Sequence, residues 1–347
     1  MVQPGARSRI VLAIIWLLLG AAMVAVSAWL GWTRWSALLS GNPALLAMII
    51  VCALVGLVAV LWAVGSLVLG GRQDREGDAW HPARRTPEEL RRRARWRLIL
   101  AVPALLASVA LLGAVAYARP FVAAPVAVAA LIPNERIHVA DLITWYEMSP
   151  INEDRAGNPI PPTTGLVFVP GARVDSRAYA HMLRPLVEAG YFVAVLKEPL
   201  GLSMLDPNHA ETLLEVHPEI RYWALAGHSL GGVTAASLAD ANEQVNGLVL
   251  LGSYPASRIV RTDLKAASIY GSADGLTTLT DINRSRGELP AQTSYIEVPG
   301  AAHSWFGDYG DLPGDGPGWG DRAAAQATIT EGIRVLLASL APPPPKR

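Results

Sequence analysis

The chain has 347 residues, 52% of them hydrophobic, and carries 29 basic and 29 acidic side chains. That length accommodates two domain-sized units, and the apolar share is high for a protein lying wholly in water. The single cysteine, Cys52, falls inside an apolar run, which excludes an internal disulfide, a thiol-pair metal site and dithiol redox chemistry.

The zero net charge hides two opposed parts. Residues 1–119 hold thirteen Arg against five acids, a balance of +8, and residues 120–347 hold sixteen Lys and Arg against twenty-four acids, a balance of −8. Three charge-free apolar runs occupy the basic part, at 10–32, 44–70 and 98–118. At a rise of about 1.5 Å per residue each is long enough to cross a hydrocarbon layer of ~30 Å, so three spanning helices are expected within a membrane region 1–119. A cleaved signal peptide competes for the first run, since Arg7 and Arg9 precede it and residues 26–28 read VSA; the length of the run favours a retained span.

The connection 71–97 carries nine Arg, whereas 33–43 carries only Arg34. The positive-inside rule then places the basic loop and the N-terminus in the cytoplasm and everything after residue 119 on the far side of the membrane. Within the loop, Thr86, Pro87 and Glu89 read as a capping box that opens the third helix. Arginines beside a span serve as a topological determinant against lipid headgroups, so the bilayer is the expected partner and nucleic acid is not. No charged residue lies within a run, which argues against an ion or proton path.

Beyond Pro133 the pattern changes. Residues 120–135 are apolar and broken by proline, and read as a juxtamembrane connector. Residues 136–150 alternate well enough for one or two antiparallel edge strands. Six short apolar, β-branched runs follow, at 165–171, 191–199, 221–227, 245–254, 265–274 and 293–303, with stretches of helical spacing between several of them. Near-continuous apolar strands alternating with helices imply a mostly parallel sheet covered on both faces, an α/β domain over 136–340. Residues 341–347 form a proline-rich solvated tail. The dominance of Arg among the bases (26 of 29) and the wealth of Ala, Gly and Pro suggest a GC-rich bacterial genome.

Within this pattern the segment "RYWALAGHSLGGVTAASLA" sets Ser229 between Gly227 and Gly231 at a strand-to-helix junction. Glycines at those two places let strand and helix approach while the serine hydroxyl projects from the turn, which is the G-x-S-x-G nucleophile elbow. The amide of Leu230, next in the chain, is a natural oxyanion donor. An acid and then a histidine must follow in chain order. Asp274, after the strand at 265–274, and His303, after the last strand, occupy those places. Asp240, Asp263 and Asp281 are not at the end of a core strand; Asp263 is the reserve acid. His228 is expected to pack beneath the elbow, and His181, His209 and His217 to lie on helix surfaces. Arg173 is expected to pair with Asp175 at the surface.

The segments "VFVPGARVDSRAY", "GHSLGG", "IYGSADG" and "GAAHSWFGDYG" together resemble the α/β-hydrolase superfamily, in particular its fold-5 subgroup of bacterial serine hydrolases, over about residues 136–340. The resemblance implies Ser229 as nucleophile, Asp274 as acid and His303 as base, with the amides of Ala172 and Leu230 forming the oxyanion hole and neither metal nor organic cofactor required. Pro170 stands where many relatives carry histidine. Cap domains of the superfamily usually enter after the strand ending near Tyr254, and only about ten residues separate Tyr254 from the next strand, leaving no room for a lid. An open pocket walled by Tyr254, Trp305, Phe306 and the 197–205 loop is expected, with a preference for short acyl or soluble esters. The aspartates Asp308, Asp311 and Asp315 lack an ordered calcium pattern and read as a polar flap. A catalytically idle binding module and an acyltransferase are the alternative functions.

Overall fold

Three long apolar helices lead the chain: α1 (Pro4–Ser40), α2 (Pro43–Glu76) and α3 (Pro87–Tyr117). The computed structural model describes residues 4–76, 87–154 and 156–342. By their contacts these divide into one unit of Met1–Trp35 and Ala44–Arg119 and another of Ser36–Pro43 and Pro120–Arg347. Each of the three helices contains a stretch long and apolar enough to cross a membrane, at Arg9–Ser40, Pro43–Leu69 and Ile99–Tyr117. The connection read at 33–43 is therefore mostly helical. No strong breaker occurs in 33–40, and the chain turns only at Gly41 and Asn42, before Pro43. Helix α3 opens at Pro87, and Thr86, the expected cap, lies outside the described residues.

Helices α1 and α2 meet at two glycines. A Cβ on Gly20 would sit 2.6 Å from the Gly56 carbonyl oxygen, and one on Gly56 would sit 2.8 Å from that of Gly20. Ala13, Met23 and Leu30 of α1 and Cys52, Ala59 and Ala63 of α2 are buried. Small residues at such a crossing let the two backbones approach closely.

The second unit is a single eight-stranded sheet in the order β1-β2-β4-β3-β5-β6-β7-β8. Strands β1 (Ile137–Asp141) and β2 (Trp145–Pro150) form an antiparallel hairpin, and β2 pairs antiparallel with β4 (Phe192–Leu196). From there β3 (Thr164–Val169), β5 (Tyr222–His228), β6 (Val245–Leu251), β7 (Lys265–Gly271) and β8 (Ser294–Val298) continue in parallel. Alternation along each strand divides the core in two. Leu166 and Phe168, Ala224 and Ala226, and Val249 and Leu251 point to one layer; Val167 and Val169, Trp223 and Leu225, and Leu248 and Leu250 point to the other. Each valine, leucine or phenylalanine among them contributes roughly 1.5–3 kcal/mol when taken fully out of water.

Helices α4 (Pro125–Ala129), α5 (Ala180–Glu188) and α9 (Arg322–Leu340) cover the first face, and α6 (His209–Val216) and α7 (Leu230–Ala241) cover the second. A short α8 (Leu279–Ser285) follows β7 and opens on a capping box between Thr278 and Asp281. The segment read as a juxtamembrane connector belongs to the core of this unit. Ala123, Ala127 and Ala130 are buried in the first layer, Phe121 bridges to Val174, and the Ala124 amide donates to the Asp308 carbonyl. Small apolar residues suit tight docking against the α5 layer as well as they suit a membrane surface, which is why composition alone misplaced them.

Candidate active site

Ser229 stands between the last residue of β5 and the first of α7 with φ 54° and ψ −124°. A non-glycine residue there costs about 1–2 kcal/mol and persists only when its surroundings hold it. They do so through three bonds: Ser229 N donates to the Leu251 carbonyl at 3.0 Å, Gly232 N donates to the Ser229 carbonyl at 3.0 Å, and Ser253 Oγ donates to the same carbonyl at 2.6 Å. Both elbow glycines are required by contact. A Cβ on Gly227 would overlap the backbone of Gly231 and Gly232, and one on Gly231 would overlap the carbonyls of Val169 and Pro170.

The acid and the histidine arrive from the two strands beyond. Asp274 lies just past β7 and His303 opens a short turn, His303–Phe306, past β8. His303 Nδ1 is 2.8 Å from Asp274 Oδ2, with both side chains buried. The other carboxylate oxygen accepts from the amides of Leu276 at 2.9 Å and Thr277 at 2.7 Å, which fixes the carboxylate plane. With Nδ1 held by the acid, Nε2 is the ring atom left for other work. Gly252, at φ 50°, threads past this pair: its Cβ would stand 3.0 Å from Asp274 Oδ2 and 3.3 Å from His303 Nδ1. The same three-residue run, Leu251 to Ser253, therefore touches the Ser229 backbone on one side and the Asp274–His303 pair on the other.

The amides near the elbow sort themselves by partner. Gly171 N donates to Tyr179 Oη at 2.9 Å, and Arg173 N, in a residue with φ 61°, donates to the Gly201 carbonyl at 2.7 Å. Among the described residues the amides of Ala172 and Leu230 have no hydrogen-bond acceptor. Tyr179 Oη also lies 3.0 Å from His228 Nδ1, within hydrogen-bond distance. Burial, and next the nearby His303, hold the His228 imidazole well below the usual histidine range, so it stays neutral. Its ring centroid is 4.6 Å from that of His303 and 5.7 Å from that of Phe306, on which it stacks.

The remaining expectations fall as follows. Tyr254 is exposed, but Phe306 is fully buried beneath His228 and does not wall a pocket, because an aromatic ring gains more from stacking there than from water. Trp305 packs its ring against Gly318. Asp175 is buried and pairs with Arg177 at 2.6 Å instead of Arg173, whose guanidinium lies over the Phe121 ring at 5.2 Å. His209 is buried beside Glu198, at 3.5 Å, and His217 is half-buried between Glu147 and Glu219, so neither is a plain surface residue. Asp240 accepts from the amides of Val260 and Arg261, Asp263 pairs with Arg261 and Asp281 caps α8; none of these bonds involves a histidine. In the loop after His303, Asp308 contacts His181, Gln326 and Arg322. Asp315, by contrast, accepts from the amides of His303 at 2.9 Å and Ser304 at 2.8 Å. Sequence named Asp315 only with Asp308 and Asp311 as part of a polar flap, and did not name Tyr179 or Gly252; of those two only the glycine carries a residue-type signal, and it is shared with every other turn.

No curated protein matches the chain. Among solved structures it is similar to a ferulic acid esterase from Streptomyces cinnamoneus, at 17% identity and a TM-score of 0.45, over 58% of this chain and 84% of that one. It is also similar to a putative dienelactone hydrolase from Klebsiella pneumoniae, at 16% identity and a TM-score of 0.42, over 56% and 92% of the two chains. Residues 165–327, from β3 into α9, match the model of the alpha/beta hydrolase family.

Proposed function

We propose that the protein is a membrane-anchored serine hydrolase that cleaves carboxylic esters or related acyl compounds through an acyl-enzyme. The observation that carries the reading is the positive-φ apex at Ser229, joined through Leu251–Ser253 to the 2.8 Å pair of His303 Nδ1 and Asp274 Oδ2. In this reading His303 Nε2 takes the Ser229 proton as Oγ attacks the acyl carbonyl. Asp274 keeps Nδ1 protonated, which orients the ring and stabilises the imidazolium. The amides of Ala172 and Leu230, without acceptors among the described residues, bind the developing oxyanion. His303 then returns the proton to the leaving alcohol, and water repeats the sequence on the acyl-enzyme. His228, held neutral, adds no second positive charge beside the imidazolium.

The connection from Gly252 to Leu264 contains neither helix nor strand, which supports an uncapped site and a preference for short acyl groups. Anchoring rests on the three helices of spanning length, and an extracytoplasmic hydrolase unit rests on the arginines of 71–97. The test is fluorophosphonate labelling of the full-length protein in membranes, beside turnover of nitrophenyl acetate, for wild type, Ser229→Ala and His303→Ala. Labelling and turnover present in wild type and lost in both variants support the proposal. A folded wild type that neither labels nor turns over ester leaves the binding-module reading in its place. Faster turnover of a C12 than a C4 nitrophenyl ester counts against the short-chain preference.

A further inference from the structure

The turn that carries His303 lacks a cap of its own. It opens after Ala302, whose side chain accepts nothing, so the amides of His303 and Ser304 need an acceptor from elsewhere. Asp315, twelve residues on, supplies both: Oδ1 accepts from His303 N at 2.9 Å and Oδ2 from Ser304 N at 2.8 Å. Oδ1 also accepts from Gly316 N at 2.7 Å and, at 3.3 Å, from Gly275 N, the residue after the acid. One carboxylate thereby ties the loop of the base to the loop of the acid. Burial opposes its ionisation, yet the Ser304 and His303 amides prevail and hold the carboxyl below the usual range.

The packing around this carboxylate is backbone against backbone. A Cβ on Gly275 would stand 2.5 Å from Gly316 N, one on Gly316 would overlap the Ala273 carbonyl, and one on Gly300 would overlap the Trp319 carbonyl. Three glycines admit the 314–320 segment close enough for Asp315 to reach both loops. The amides of Ala273 and Trp319 add crosslinks to the Ala301 and Gly300 carbonyls at 3.1 and 2.9 Å.

We propose that Asp315 is a positioning residue: it sets the backbone of His303 relative to Asp274, and so the aim of His303 Nε2 at Ser229. The inference rests on the catalytic reading given above. A misplacement of about 1 Å in such a group can lower the rate about 10²-fold without changing how substrate binds.

The experiment measures kcat and KM for nitrophenyl acetate with the full-length protein in detergent, together with melting temperature, for wild type, Ser229→Ala, Asp315→Ala, Asp315→Asn and Asp311→Asn. Asp311 is an exposed acid of the same loop and serves as the control. The expected result is a kcat lower by about tenfold or more in folded Asp315→Ala at a KM within about twofold of wild type. Asp315→Asn, which keeps one acceptor oxygen, should recover part of the loss, and Asp311→Asn should match wild type. A kcat within about twofold of wild type in Asp315→Ala, or a loss carried by KM, overturns the proposal. Should the alanine variant not fold, Asp315→Asn is held to the same two criteria. Turnover that survives Ser229→Ala overturns the nucleophile assignment and this inference with it, whereas turnover lost in Ser229→Ala but kept in Asp315→Ala overturns the positioning role alone.

Discussion

Asp274 receives the Leu276 and Thr277 amides on one oxygen and faces His303 with the other, so an amide in its place meets the same backbone donors but presents the wrong partner to Nδ1. Asp274→Asn is expected to lower kcat by about 10⁴-fold while the melting temperature stays near that of wild type. Ester turnover and thermal unfolding measured on one preparation check both parts. Gly252 makes the converse case. Alanine there must adopt φ 50° and place its Cβ 3.0 Å from Asp274 Oδ2, so Gly252→Ala should lose about 1–2 kcal/mol of stability and most of its turnover together. A variant as stable and active as wild type would remove the glycine from the site. At this scale the places of Ser229, Asp274 and His303 were legible because each lies just past the end of a recognisable strand. Asp315 was not. It shares its loop with Asp308 and Asp311, and residue type cannot tell which of three carboxylates the chain path brings under the His303 amide. Phe306 was misread for a related reason, since an aromatic residue close to His303 in sequence has the same composition whether it walls a pocket or packs under a ring.

The parallel strands could be read directly because alternating residues face two buried layers at once, leaving runs with few polar interruptions from β3 to β7. Helix α4 could not, since its alanines fit a membrane surface and a domain core equally well. Between elements, the half-buried pair of Glu147 on β2 and His217 after α6 gives the hydrolase unit a pH signature. The Glu147 hydrogen bond raises His217 above its ordinary value against the effect of burial. Burial likewise works against Glu147, but bonds from His217 and Trp145 hold it below its ordinary value. The raised histidine contributes fully below its unfolded value of 6.5 and loses the contribution as pH rises through the folded one. The depressed carboxyl contributes above its unfolded value of 4.5 and loses it as pH falls through the folded one. The pair therefore stabilises most between those two values. His217→Gln should lower the melting temperature at pH 5.5 and much less at pH 9, and an equal drop at both would assign the effect to packing against Phe192. In the other unit, Gly20→Leu should force α1 from α2, whereas Gly31→Leu, with nothing within 4 Å of a Cβ, should be neutral. Thermal stability of the detergent-solubilised protein separates the two.

For the whole molecule, the charge asymmetry makes orientation a matter of experiment. Reporter fusions after Arg119 and after Arg75 should report the outside and the inside of the membrane respectively, and reversal would move the proposed hydrolase to the cytoplasm. The division into three long apolar helices and an α/β unit was legible because their compositions are opposite; the start of the second unit was blurred where apolar chain passes from one to the other. A last consequence follows from Cys52, the chain's one thiol, which is enclosed where α1 packs on α2. A cysteine introduced at an open position such as Val260 or Met204 would be the one thiol of this chain within reach of a polar maleimide. The natural sequence is thus already a background-free host for a fluorophore or spin label, with no cysteine to remove first.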